Sequence, residues 1–217
     1  MNELEMLANK YGTDKGAMIG GMNHMYTDIY EPLMRPIRND NFHMVEIGIG
    51  SGASARMWYD YFPNAMIHVV DISKKAVDSL GDKAGSRLIR HLGDESSSGT
   101  WVLIPGNLQF VIDDGSHIPD NQMKMFIENF HKVKPGGFWI IEDLHCNFHP
   151  NFNPGPDLFY PWLFGLIRDQ QMIPTGGGSG NFYLEREKSE SWLNEYSRLI
   201  YGIRIYKSMV IFERARD

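Results

Sequence analysis

Two short apolar runs stop abruptly in carboxylates, Val111-Ile112-Asp113-Asp114-Gly115-Ser116-His117 and Trp139-Ile140-Ile141-Glu142-Asp143. Such runs read as buried parallel strands that deliver their last residues to the rim where an α/β sheet binds ligands. Neighbouring strands lie about 4.8 Å apart, so carboxylates closing two of them can share one ion. Side chains alternate along a strand, so Asp113 and Asp114 point to opposite sides, as do Glu142 and Asp143, and not all four need be ligands. An all-oxygen donor set without cysteine suits Mg²⁺, with Mn²⁺ or Ca²⁺ as alternatives. His117, three residues beyond Asp114, stands where an imidazole can take a proton from a hydroxyl whose pKa a cation has lowered. His145 and His149 would need a helix to align their rings, and Asn147, Pro150 and Pro154 argue against one, so pocket lining or surface is their expected place.

Upstream lies a glycine-rich turn, Val45-Glu46-Ile47-Gly48-Ile49-Gly50-Ser51-Gly52. Gly48, Gly50 and Gly52, with Ser51 between them, follow a strand and precede a helix, which lets the backbone approach a ligand whose polar groups meet the helix amino terminus. The Gly-x-Gly-x-Gly spacing, followed by Ala53, departs from the dinucleotide fingerprint, and Glu46 would repel a pyrophosphate. An acid there matches the ammonium of an amino acid. Asp71, closing the next strand, can accept ribose hydroxyls, and Asp94 in the loop after that can meet an adenine amino group. Amino acid, ribose and adenine along three successive strand ends describe S-adenosylmethionine (SAM). Taken singly, Glu46 is a satisfied buried acid, Asp71 a helix N-cap and Asp94 a solvated loop residue; the ordered triple carries the reading.

The elements that must hold these residues are legible from periodicity. Thr27 reads as the N-cap of a helix with Ile29, Tyr30, Leu33 and Met34 on one side, ended by Pro36. From His43 the chain alternates: strand 43–48, a helix with Met57, Trp58 and Tyr61 inward, strand 66–71, a helix near 74–80, strand 87–91, a polar loop over 93–98, and strand 108–114. Pro119 suits the first turn of the next helix, whose inward face is expected to carry Met123, Phe126, Ile127 and Phe130. Lys134-Pro135-Gly136-Gly137 should turn the chain into strand 138–143. Beyond it, 147–156 is irregular, Phe159 to Met172 reads as an aromatic-rich helix, Gly176 to Gly180 as a flexible stretch, and a helix bearing Trp192, Tyr196 and Leu199 precedes a hairpin of strands 203–206 and 208–214 across Lys207. Strands alternating with helices imply parallel β-α-β units wound on both faces of one sheet, with an antiparallel C-terminal strand.

Composition sets the outer bounds. The 217 residues, 42% of them hydrophobic, can bury a full core and fit one domain over 1–217, with 1–40 as a lid or flank and 144–187 as an acceptor-side insertion. A formal charge of −6 without a basic block argues against nucleic acid. No run is long enough for a membrane span, the amino terminus carries no secretory signal, and the single cysteine, Cys146, can form no intramolecular disulfide, so a soluble cytoplasmic protein is expected.

Leu7 to Lys15, His24-Met25-Tyr26-Thr27 with Tyr30, the Val45–Gly52 turn, Trp58, Asp71, Asp113–His117 with Gln122, and Glu142-Asp143 together resemble the metal-dependent SAM sugar O-methyltransferases of macrolide pathways, over roughly residues 5–145. The resemblance implies a Rossmann-like class I methyltransferase fold, Mg²⁺ on Asp114, Glu142 and Asp143, and His117 as general base. It also implies that the Tyr11–Lys15 segment, with Thr13, closes over SAM, and Asp113 falls to the cofactor side. The acceptor would be a hydroxyl of a sugar or glycoside. On this resemblance the chain is expected to lack the long amino-terminal oligomerisation region of the macrolide enzymes, and a homo-oligomer stays open. A catechol or phenolic O-methyltransferase would use the same metal logic, and a non-catalytic SAM-binding module is the reading from another class. A nicotinamide oxidoreductase is disfavoured by Glu46 and the glycine spacing.

Overall fold

The computed structural model describes residues 1–17, 24–81, 86–153, 155–172 and 195–216. Seven strands follow the order β3-β2-β1-β4-β5-β7-β6 in one sheet. The chain forms two compact units, Met1–Val111 and Ile112–Asp217, and each is best understood from its own packing.

In the first unit, helix α1 (Glu3–Tyr11) starts on Asn2, whose side chain accepts a hydrogen bond from Glu5 N at 2.7 Å, and stops at Gly12 in the left-handed region. Helix α2 (Tyr26–Met34) follows. Thr27 does not cap it as expected. Met25 holds the cap position, and the Thr27 hydroxyl donates instead to the buried Glu5 carboxylate, which also accepts from Ala17 N at 2.9 Å. That acid ties α1, α2 and the segment between them together, because a buried carboxylate is tolerated only when hydrogen-bonded.

Strand β1 (His43–Ile47) pairs in parallel with β2 (Met66–Asp71), and β2 with β3 (Leu88–Leu92). Met44, Val45 and Ile47 of β1 and Ile67, Val69 and Val70 of β2 are all buried, the near-continuous apolar pattern of strands covered on both faces. Helix α3 (Ala53–Tyr61) buries Met57, Trp58 and Tyr61 as expected, and α4 (Lys74–Ser79) is capped by Ser73. The loop expected over 93–98 is present through Ser97, and a short helix, α5 (Ser98–Val102), follows it, too brief to leave a periodic signal. Three imidazoles cross the strands in a line: His43 Nδ1 lies 3.1 Å from His68 Nε2, and His68 Nδ1 3.0 Å from His91 Nε2.

β4 (Leu108–Asp113) leads into the second unit, with α6 (Pro119–Asn129), β5 (Val133–Ile141), α7 (Phe159–Met172), α8 (Glu195–Leu199), β6 (Ile200–Tyr206) and β7 (Met209–Arg214). β7 runs antiparallel to both β5 and β6, so two C-terminal strands close the sheet. The core gathers on Phe126, whose ring meets Phe130 at 4.5 Å, Phe212 at 4.4 Å and Trp139 at 5.6 Å.

Two expectations for this unit need correction. The inward face of α6 carries Gln122, Met125, Phe126 and Asn129, while Ile127 is exposed; two buried amides shift the stripe away from the one drawn by apolar residues alone. Lys134 to Gly137 belong to β5 and do not form the turn, which a 3-10 segment (Phe130–Lys132) makes instead. The ladder with β7 begins at Phe138, where the strand was expected. Trp192 and Gly176–Gly180 lie outside the described residues, as do 154 and the rest of 173–187. Among the described residues no helix is long and apolar enough to cross a membrane.

Candidate functional site

In the second unit the backbone first joins the two acidic strand ends. Glu142 N donates to Asp113 O at 3.0 Å, so the residues that follow each strand emerge side by side. Asp113 is fully buried and Glu142 nearly so, whereas Asp114, His117 and Asp143 are half-buried. Each of these three offers one ligating atom, and those atoms all lie within 4.8 Å of one another. Glu142 is not part of that group.

The sequence turns sharply to achieve this. His117 (φ 55°) and Asp143 (φ 56°) sit in the left-handed region, which costs a non-glycine residue about 1–2 kcal/mol. Such outliers persist where the surroundings over-determine them, and they cluster at functional sites. For His117 the surroundings are the turn into α6, where Ser116 Oγ accepts from Ile118 N at 3.3 Å and from Asn121 Nδ2 at 3.1 Å. For Asp143 they are the β6–β7 hairpin, whose Ser208 accepts Leu144 N at 3.0 Å on its carbonyl and His145 N at 3.1 Å on its hydroxyl. His117 Nε2 stands 3.9 Å from Asp143 Oδ2, and its ring meets Phe152 edge-on at 5.8 Å between centroids. His117 Nδ1 is enclosed with no hydrogen-bond partner among the described residues. The field of the acids reaches the next turn: burial pushes the Cys146 thiol up, and Asp143 and Asp114 add to the rise.

His145 and His149 stay outside the group. His145 Nδ1 lies 2.7 Å from Ser208 Oγ, and His149 Nδ1 accepts from Asn151 N at 3.2 Å. Of two buried carboxamides, Gln122 entered the sequence reading only through the family resemblance, and Asn147 carried no signal there. Gln122 and Asn147 are 0% and 4% exposed, and none of their side-chain nitrogen and oxygen atoms has a partner among the described residues.

In the first unit the glycine turn is held from below. Gly48, Gly50 and Gly52 all have positive φ (88°, 53° and 78°), and a Cβ on Gly52 would come within 2.5 Å of Leu80 Cδ2. A Cβ on Gly50 would meet nothing within 4 Å, so its surface faces open space. Asp71 accepts Ile49 N at 2.9 Å on Oδ2 and Ser73 N at 2.7 Å on Oδ1, bracing the turn against the next loop. A carboxylate has about four acceptor sites, so these two bonds leave capacity for hydroxyls. Asp94 accepts both Ser96 N and Ser96 Oγ at 2.8 Å on Oδ1. Glu46, fully buried, accepts Trp58 Nε1 at 2.9 Å, and the cation facing it is Lys15, with Nζ at 3.8 Å. Thr13 is buried beside Lys15, Ser51 is exposed on the turn, and the Tyr11 hydroxyl donates to Asp60 on α3.

Comparison with known proteins gives the family context. Demethylmacrocin O-methyltransferase of Streptomyces fradiae is 28% identical over 230 residues, covering 98% of this chain and 53% of that protein. Mycinamicin VI 2''-O-methyltransferase of Micromonospora griseorubida is 28% identical over 234 residues, covering 99% of this chain and 53% of the relative. The solved MycE methyltransferase of the mycinamycin biosynthetic pathway, in complex with Mg, SAH and mycinamycin VI, superimposes with a TM-score of 0.75 at 28% identity over 99% of this chain and 55% of its own. The chain thus spans about half the length of the curated relatives it matches. No family model matches it. The fold is that of the class I, Rossmann-like methyltransferases.

Proposed function

We propose that this chain, a relative of the macrolide sugar O-methyltransferases, transfers a methyl group from SAM to a hydroxyl of a sugar or glycoside with the help of Mg²⁺, acting in the cytoplasm as one domain with 1–40 as its lid and 144–187 as its acceptor side. The convergence of Asp114, His117 and Asp143 within 4.8 Å carries this reading. It is supported by the relative solved with Mg and SAH.

The residues fit both groups. Carboxylates are the donors a hard divalent cation takes, and Asp114 and Asp143, together with the buried Glu142, would hold it, while His117 keeps its imidazole for proton transfer. A bound Mg²⁺ would supply Lewis-acid stabilisation to an oxygen losing its proton. On the donor side, Asp71 would take the ribose hydroxyls and Asp94 the adenine amino group, and Gly48, Gly50 and Ser51 would line the turn, with Asp113 and the Tyr11–Thr13–Lys15 segment contributing. The buried Lys15–Glu46 pair offers a cation and an anion together, the complement of an amino-acid zwitterion.

Bound SAM would supply the methyl group and leave as the thioether, and His117 Nε2 would take the proton that the acceptor hydroxyl loses. For that the ring must be neutral, with its proton on Nδ1. Holding the reacting oxygen in line is the larger contribution, since positioning alone can supply about 7–11 kcal/mol of a barrier. Offered a glycoside panel and catechol in parallel with SAM, the protein should methylate a glycoside and leave catechol untouched, as read by mass spectrometry. Methylation of catechol alone would transfer the same machinery to a phenolic acceptor.

A further inference from the structure

Asn147 stands four residues past Asp143 in the 3-10 turn Leu144–Phe148 and is 4% exposed. Its backbone carbonyl accepts from Asn153 Nδ2 at 3.0 Å, so the loop is pinned through the main chain, while neither polar atom of its side chain has a partner among the described residues. A buried donor and acceptor left unmade are costly, and folded proteins keep few of them without a use. The neighbours point to the use. Cys146, one residue earlier, feels Asp143 and Asp114, and Phe152, in the same loop, faces the His117 ring. The loop that carries Asn147 therefore borders the acid and histidine group. A carboxamide offers donors and an acceptor at one point, the match for a hydroxyl, which both gives and takes a hydrogen bond.

We propose that Asn147 determines acceptor specificity: its carboxamide receives a second sugar hydroxyl, next to the one that is methylated. This rests on the glycoside reading given above. The amide atoms are closed off from solvent in this structure, so the loop must yield by about the breadth of a hydroxyl when the acceptor enters. The unmet hydrogen bonds are then a cost of the free protein that the correct acceptor removes.

Asn147→Leu keeps the branched shape with somewhat greater bulk and removes the polar atoms. Its melting temperature should equal or exceed that of the wild type, because an unsatisfied pair is gone, and its KM for the glycoside should rise about tenfold to hundredfold with kcat nearly unchanged. SAM affinity by calorimetry should not move. The same glycoside lacking the neighbouring hydroxyl should lose a similar factor with the wild type and nothing further with Asn147→Leu. A lower melting temperature with an unchanged KM would show a merely structural amide and overturn the proposal, as would equal additional losses on the deoxy acceptor in both proteins. If the leucine variant does not fold, Asn147→Ser carries the same deoxy-acceptor comparison. Absence of any wild-type turnover on glycosides would overturn the parent reading, and this one with it.

Discussion

His117 has two nitrogens with different surroundings, and that difference decides what it can do. Nε2 looks toward Asp143 at 3.9 Å, beyond hydrogen-bond length, while Nδ1 is enclosed. A ring so placed can be oriented without being consumed by an ion pair, which suits a proton acceptor that must be free when the hydroxyl arrives. Replacing His117 with Ala should lower kcat by about 10²–10⁴-fold and leave SAM affinity by calorimetry nearly intact; an unimpaired variant would remove His117 from the chemistry. At this scale the sequence was readable for two of the strand-closing acids, while Glu142, at the end of the same run as Asp143, stays outside the group. Asp114 and Asp143 follow apolar runs and meet in the structure. Asn147 was not readable, because a polar residue among asparagines and prolines has no period to break.

Elements were read best where burial is uniform and worst where a polar residue sits inside. β2 and α7 match their expected bounds, since an apolar run and an aromatic run each end in a change of character. The face of α6 was misplaced because Gln122 and Asn129 occupy the buried stripe, and periodicity counts only apolar residues. The imidazole line across β1, β2 and β3 went unread for a related reason: its members are spaced by strand register and not by sequence. His68 is 4% exposed, and its pKa falls to about 4, chiefly from burial and then from His91 and His43. The unfolded chain binds a proton near pH 6.5 that the folded one refuses. Stability is therefore intact above that pH and should decline as pH drops from about 6.5 toward 4. Thermal unfolding followed over that window should show the decline, with a shallower slope in His68→Leu; equal slopes in the two proteins would assign the acid sensitivity elsewhere.

For the molecule as a whole, alternating strands and helices were enough to give the sheet class, and the antiparallel closure by β7 followed from the hairpin at Lys207. Composition weighs against one class of partner without naming another: a formal charge of −6 disfavours a phosphate backbone, yet says nothing about a neutral sugar. The proposed acceptor site draws on loop residues such as Asn147, where neither period nor composition constrains the residue, so the proposal of a glycoside rests on the relatives and on the acid and histidine group together. Chelation tests that union most directly. Methyl transfer from SAM to a glycoside should vanish in EDTA and return when Mg²⁺ is added in excess. Undiminished transfer in the chelator would contradict a role for Asp114 and Asp143 in holding a catalytic cation.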